Sequence, residues 1–266
     1  MRHAISCFFF LACVFIFLSP SFASASEYGI YVAPRFVYGS GDFHKLKWGS
    51  DTGGGASGSK QKHDDAFGGA LALGVNLRPL LDLPVRAELE YSIFSQMDAR
   101  GKNTWNRISW DNPGSNGYRE NQHSIKQKID VQTLFLNVYA DFPTETRFTP
   151  YLTAGLGMAF VSSKSSYDAS VTGVNTIVDT GQTIVFDTPL YSGSSSSKRD
   201  TNFAWNVGAG LGIALVDDLT VDLAYRFASL GEVKSKSIDT ATYSGHSKTQ
   251  NLYMHQVMVG LRWEFW

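Results

Sequence analysis

The chain has 266 residues, with 23 Lys and Arg against 24 Asp and Glu, and two cysteines. A balance so near neutral offers no attraction to nucleic acid. Both cysteines, Cys7 and Cys13, lie near the start, so the rest of the chain has no disulfide framework, no thiol nucleophile and no cysteine metal site.

The start reads as an export signal. Arg2 and His3 precede an apolar run from Ala4 to Leu18, and Ala23-Ser24-Ala25 forms an A-x-A cleavage site. The run is short for a membrane-spanning helix. Cleavage after Ala25 divides the chain into a signal peptide, residues 1–25, and a mature domain, residues 26–266. It removes Arg2 and leaves 22 basic against 24 acidic side chains, a net charge of about −2. Beyond residue 25 no apolar run approaches a membrane helix, so a membrane form of this protein must cross as a closed barrel.

Two-faced segments with a period of two then recur. Tyr28 to Ser40 sets Ile30, Val32, Pro34, Phe36 and Tyr38 against Tyr31, Ala33, Arg35 and Val37. Phe67 to Leu77 sets Leu71, Leu73 and Val75 against Ala70, Ala72 and Gly74. Val85 to Phe94 sets Ala87, Leu89, Tyr91 and Ile93 against Arg86, Glu88, Glu90 and Ser92. Leu134 to Phe142 follows, then Thr149 to Val161, in which Leu152, Leu156, Met158 and Phe160 oppose Thr153, Gly155, Gly157 and Ala159. Trp205 to Leu215, Leu219 to Phe227 and Tyr253 to Phe265 complete eight strands.

Gly is a poor strand former in water. Its repeated use on the second face indicates a cramped interior, and the large apolar first face then meets lipid. Aromatic residues near the strand ends, among them Tyr38, Phe148, Trp205, Tyr253 and Trp263, suit the lipid–water boundary.

Connections alternate in length. Arg78 to Pro84, Pro143 to Phe148 and Val216 to Asp218 are short; Gly41 to Asp65, Asp98 to Ile125, Ser162 to Asn202 and Ala228 to Gln250 are long. The pattern predicts an all-β, eight-stranded antiparallel up-and-down transmembrane β-barrel with short periplasmic turns and four long, mobile outer loops. Val174 to Val178 and Thr183 to Asp187 flank a turn and predict a hairpin extending above the barrel.

The segments TPYLTAGLGMAF, LNVYADF, FAWNVGAGLGIAL, LTVDLAYRF and VMVGLRWEF resemble the opacity-type, OmpA/OmpX-like eight-stranded outer-membrane barrels of Gram-negative bacteria. The resemblance covers most strands and none of the loops. It implies an outer-membrane location, surface-exposed loops, and outer-membrane lipid, lipopolysaccharide and the barrel assembly machinery as partners. It is specific for fold and not for activity, because that family includes adhesins, immune-evasion antigens and structural proteins. Such barrels commonly end on an outward aromatic that the assembly machinery reads; Phe265 holds the outward phase here and Trp266 follows it, so either could serve.

Three sets of residues could carry chemistry. The inward phase collects Arg35, Arg86, Arg226 and Arg262 with Glu88, Glu90, Asp141, Asp222 and Glu264. Opposite charges in a narrow lumen should pair, giving a salt-bridged plug or, alternatively, a narrow pore for very small solutes. The second long loop interleaves Arg100, Lys102 and Arg107 with Trp105, Trp110 and Tyr118, a composition suited to lipopolysaccharide phosphates, a host glycan or a protein surface. His255 falls on the lipid face near the outer boundary, where the base of a lipid A-modifying enzyme could sit, though no His-x-Ser pattern accompanies it. The remaining mature histidines, His44, His63, His123 and His246, show no metal-ligand spacing. The expectation is a monomeric, non-enzymatic, structural or adhesin-like surface protein without cofactors.

Overall fold

The computed structural model describes residues 29–50, 63–78, 82–195, 197–234, 238–239 and 244–265; within those ranges the side chains at 43–50, 63, 99–107, 123, 125, 167, 191, 238–239 and 244–250 are not described. The expected signal peptide, residues 1–25, lies outside the described residues, as do Trp266 and the side chains of Arg100, Lys102, Trp105 and Arg107.

Twelve strands run in chain order: β1 (Gly29–Ser50), β2 (His63–Asn76), β3 (Val85–Phe94), β4 (Met97–Asn112), β5 (Ser115–Asp141), β6 (Phe148–Ile177), β7 (Thr183–Ser194), β8 (Lys198–Val216), β9 (Leu219–Ser229), β10 (Val233–Lys234), β11 (Ile238–Asp239) and β12 (Ser244–Phe265). Eight of them close an antiparallel ring in the order β1, β2, β3, β5, β6, β8, β9, β12 and back to β1. These eight contain the eight strands expected from the alternating pattern. Their outward faces carry a continuous apolar surface that includes Phe36, Leu73, Leu136, Leu152 and Leu156, the last 61% exposed. Such a surface is costly in water and suits hydrocarbon.

Inside, small residues make room for large ones. A Cβ at Gly74 would overlap the ring of Tyr31, and one at Gly210 the ring of Tyr151. Gly74→Val is therefore expected to cost about 1–3 kcal/mol through overpacking, read as a lower urea midpoint of the detergent-folded barrel. An unchanged midpoint would mean that the Tyr31 ring does not need that space.

The outer connections differ from the expectation of mobile loops. Asp98 to Ile125 is a strand hairpin: β4 pairs with β5 from Met97 opposite Ile129 up to Asn112 opposite Ser115, with an irregularity between Trp105 and Ile108. β5 and β6 stay paired from Asp141 opposite Tyr151 to Ser115 opposite Ile177. β7 folds back along β6, which extends the hairpin expected at Val174 to Asp187. β4, β5, β6 and β7 thus form a four-stranded sheet beyond the barrel. The first long loop begins as strand, because β1 continues to Ser50 against β12, and the last carries the short strands β10 and β11 on β12. The alternation that marks a strand in sequence arises from two unlike environments. Above the membrane the residues are mostly polar on both faces, so these strands, the Val174 to Asp187 hairpin apart, leave no such mark.

Candidate functional site

The inward charges come together in the lower and middle lumen. Arg35 reaches Glu88 and Glu90, each at 2.7 Å. Arg226 donates from Nη1 to Glu90 at 2.7 Å and from Nε to Gln256 at 2.7 Å. Arg86 grips Asp141 with two parallel hydrogen bonds, Nε to Oδ2 at 2.7 Å and Nη2 to Oδ1 at 2.8 Å. The Tyr31 hydroxyl donates to Glu88 and accepts from Arg86. Asp141, Arg86, Tyr31, Glu88, Arg35, Glu90, Arg226 and Gln256 therefore form one continuous polar chain across the lumen. Glu88 and Glu90 are shut off from solvent. Buried carboxylates are held by charge-assisted, multidentate bonds of this kind.

Toward the periplasmic end the contacts loosen. Arg262 Nε stands 3.8 Å from Asp222 and 3.6 Å from Glu264, ion pairs too long to be hydrogen bonds. Glu264 and Asp141 are half-buried, and the other lumen charges are buried.

Several lumen residues escaped functional notice in the sequence although their inward phase was readable. The Arg86 guanidinium lies 4.6 Å from the Tyr139 ring, 5.2 Å from Tyr151 and 5.8 Å from Tyr31, an aromatic cage that favours a cation. Asn206 donates to Asn137 at 2.9 Å. Inward Tyr and Asn on neighbouring strands were the available signal.

Above the ionic layer lies an apolar one. Phe94, Met97, Ile129, Leu252 and Met254 pack with Leu230 and Val233. The last two come from the segment after β9, which folds into the mouth. Gly231 turns there with φ of 79°; Leu230 N donates to the Leu252 carbonyl at 2.9 Å and Leu252 N donates to the Gly231 carbonyl at 2.8 Å. Asn202 Nδ2 fastens it by donating to the carbonyls of Leu230 and Glu232. This layer was not anticipated, because its parts come from the ends of strands and from a segment read as a loop.

The expected loop cluster does not form one patch. In backbone register Trp105 stands opposite Asn121 and Trp110 opposite Gly117, positions of one parity on β5; Arg100 stands opposite Lys126, Lys102 opposite Ser124, and Tyr118 has the other parity. Arg107 falls at the irregularity between Trp105 and Ile108. A sheet sends alternate parities to opposite faces, so the Trp105 and Trp110 positions fall on one face of the hairpin and the Arg100, Lys102 and Tyr118 positions on the other. Trp110 and Tyr118 are half-buried.

His255 faces outward. Its Nδ1 is 2.7 Å from the Tyr225 hydroxyl, its ring packs edge-on to Phe227, and its register partner on β1 is Ser40. Among the described residues no side-chain hydrogen bond joins Ser40 to His255. At the strand end Phe265 faces outward, pairs with Ile30 and touches the Trp263 ring at 5.2 Å.

A family model described as the outer membrane protein beta-barrel domain matches residues 9–265. Outer membrane protein PagN of Salmonella typhimurium is 30% identical over 183 residues, which cover 69% of this chain and 64% of PagN, so the chain spans about two thirds of that relative's length. A candidate adhesin of Rickettsia rickettsii is 24% identical over 197 residues, covering 73% of this chain and 79% of that protein. Among solved structures, OprG of Pseudomonas aeruginosa aligns with a TM-score of 0.47 at 14% identity, covering 89% of this chain and 96% of that one. With a family match over nearly the whole chain and a closed barrel of the matching architecture, this chain belongs to the outer membrane protein β-barrel family.

Proposed function

We propose that this protein is a non-enzymatic, adhesin-like surface protein that presents preformed strand hairpins on a barrel closed by its own side chains. The single observation that carries the reading is the sheet β4–β5–β6–β7 beyond the membrane. A hairpin already ordered by its ladder loses less freedom on binding than a mobile loop does. It also exposes apolar side chains that no lipid covers: Val185 is 76% exposed, and Ile184, Leu190 and Ile108 are exposed elsewhere in the same sheet. Exposed apolar groups on an extracellular sheet are typical of contact surfaces. Candidate adhesins among the relatives support the same reading.

The closed lumen belongs to this proposal. An ionic chain beneath an apolar layer, across the described lumen, supports a plug rather than a pore. Phe265, with Trp266 after it, is proposed as the aromatic end read by the assembly machinery.

The test uses Gram-negative cells displaying the full chain. Replacing Asp98 to Ile125 by a short Gly-Ser turn should leave heat-modifiable folding intact and reduce attachment to host-cell monolayers. Trp110→Ala with Tyr118→Ala should reproduce part of the loss, about tenfold for one aromatic anchor. A second strain with Ile184→Ser and Val185→Ser tests β7. Undiminished attachment by both hairpin variants would replace the adhesive reading with a purely structural one.

A further inference from the structure

We propose that the hollow on the outer sheet across β5, β6 and β7 is a binding site for an uncharged disaccharide unit of a glycan. It rests on the reading of that sheet as a contact surface, and it names what one part of the surface takes.

Register builds the site from positions of one parity. Ser124 on β5 stands opposite Asp168 on β6, and Asp168 stands opposite Ser192 on β7. One row higher, Gln122 stands opposite Ser170 and Ser170 opposite Pro189. Asp187, opposite Thr172, closes the upper end. These rows border a hollow of about 440 Å³, within the range of about 300–1,000 Å³ usual for small-molecule sites. A β-bulge shapes it. Ala169 pairs with Tyr191 and Ser170 with Pro189, so Leu190 is an extra residue on β7. Bulges re-aim side chains and gather beside functional sites. Gln122 is held in place, because its Nε2 donates to Thr172 Oγ1 at 2.8 Å and to Glu120 Oε1 at 3.2 Å. Its Oε1 is left as an acceptor. Asp168 and Asp187 are exposed, and neither has an ion-pair partner among the described residues.

The lining selects the ligand. Among the described residues it holds two carboxylates, an amide and hydroxyls, and no cationic group. Carboxylates only accept hydrogen bonds, so the ligand must bring donors, and a sulfated or phosphorylated sugar would meet like charge. The spacing narrows the choice further. Asp187 stands opposite Thr172, four residues along β6 from Asp168, which is about 13 Å at a rise of about 3.3 Å per residue. One metal ion or one ammonium group cannot reach both carboxylates. A string of sugar hydroxyls can, donating to each in charge-assisted bonds. Between them Ser170 and Gln122 meet ring hydroxyls. The apolar C–H face of a pyranose lies on Pro189 and on Leu190, which is 51% exposed. An apolar patch with a few convergent polar groups is the usual make-up of a small-molecule site. The hollow also stands clear of the lipid. Asp168 lies eight residues beyond Phe160 on β6, roughly 20 Å higher for a strand tilted by about 40°.

The experiment uses the purified full chain, folded in a zwitterionic detergent that contains no sugar. Lactose, maltose and N,N′-diacetylchitobiose are the neutral probes, and binding is read by saturation-transfer difference NMR. At least one probe should receive transfer from the protein and titrate to saturation. Asp168→Asn and Asp187→Asn should each weaken that probe about tenfold, the scale of one hydrogen bond to a charged group, and together about 100-fold. Ser170→Tyr, which fills the middle of the hollow, should abolish transfer. Heat-modifiable mobility should be unchanged in all variants, because the barrel is untouched. A sulfated disaccharide and spermidine should not compete. Displacement of the neutral probe by either one at equal concentration would overturn the assignment to an uncharged sugar. No transfer to any of the three probes, or equal affinity in wild type and the double Asn variant, would overturn the site. The assay needs no cells, so its failure leaves the attachment test of the hairpin variants to be decided by its own result.

Discussion

Glu90→Gln should lower the stability of the folded barrel by about 3–5 kcal/mol, the cost of leaving a buried charge without its partner. Glu90 is fully buried and accepts from Arg35, Arg226 and Ser92. Glutamine preserves the shape and removes the charge. Arg35 would keep Glu88 at 2.7 Å, while Arg226 would keep only the neutral Gln256 at 2.7 Å. The loss is measured by urea unfolding in detergent micelles, followed by heat-modifiable mobility. The double variant Glu90→Gln with Arg226→Met should recover much of it, since replacing both members of a buried pair is often nearly neutral. A single variant as stable as wild type would mean that water screens the lumen charges. The same lumen predicts no steady current from wild type in planar bilayers, and sustained open-channel currents from folded protein would assign the barrel to a pore.

Leu156→Arg should cost about 2–4 kcal/mol, as expected for a basic residue facing lipid near the bilayer midplane. Leu156 faces outward midway along the crossing part of β6, opposite Leu136 on β5 and Trp205 on β8. An Arg tolerated there would mean that this face meets water. The neighbouring position makes a contrast of mechanism. Gly157 points the other way, and a Cβ there would overlap the backbone carbonyl of Leu134. Backbone cannot swing aside as a flexible side chain can, so Gly157→Ser should also destabilise, by roughly 1–3 kcal/mol of overpacking. The repeated glycine on this face indicated a cramped interior, and the approach of the β5 backbone is what crowds this position. Folding yields of the two variants in lipid vesicles check both values.

The periodicity of the chain determined which side chains face lipid and which face the lumen, and so the eight-stranded barrel itself. Lipid and a filled interior are unlike solvents, and a strand crossing between them must alternate. Leu152, Leu156 and Phe160 against Thr153, Gly157 and Ala159 record that contrast directly. The inward parity of Arg35, Glu88, Glu90 and Arg226 follows for the same reason. Partnership was not legible. Arg226 and Glu90 are 136 positions apart, and only the closed ring brings them within 2.7 Å. The apolar layer at the mouth was equally hidden, since Leu230 and Val233 enter it from outside any barrel strand and are fastened there by Asn202. Apart from the Val174 to Asp187 hairpin, the outer sheet left no mark in the pattern because its residues are mostly polar on both faces, and its length is set by the β5–β6 ladder continuing past the membrane. Which loop residues share a face was decided by register: a single irregularity between Trp105 and Ile108 resets the parity that places Trp110 across from Gly117. Local pattern carries the information about solvent, and tertiary closure carries the information about partners, because the first acts on each residue alone and the second requires two distant strands to meet.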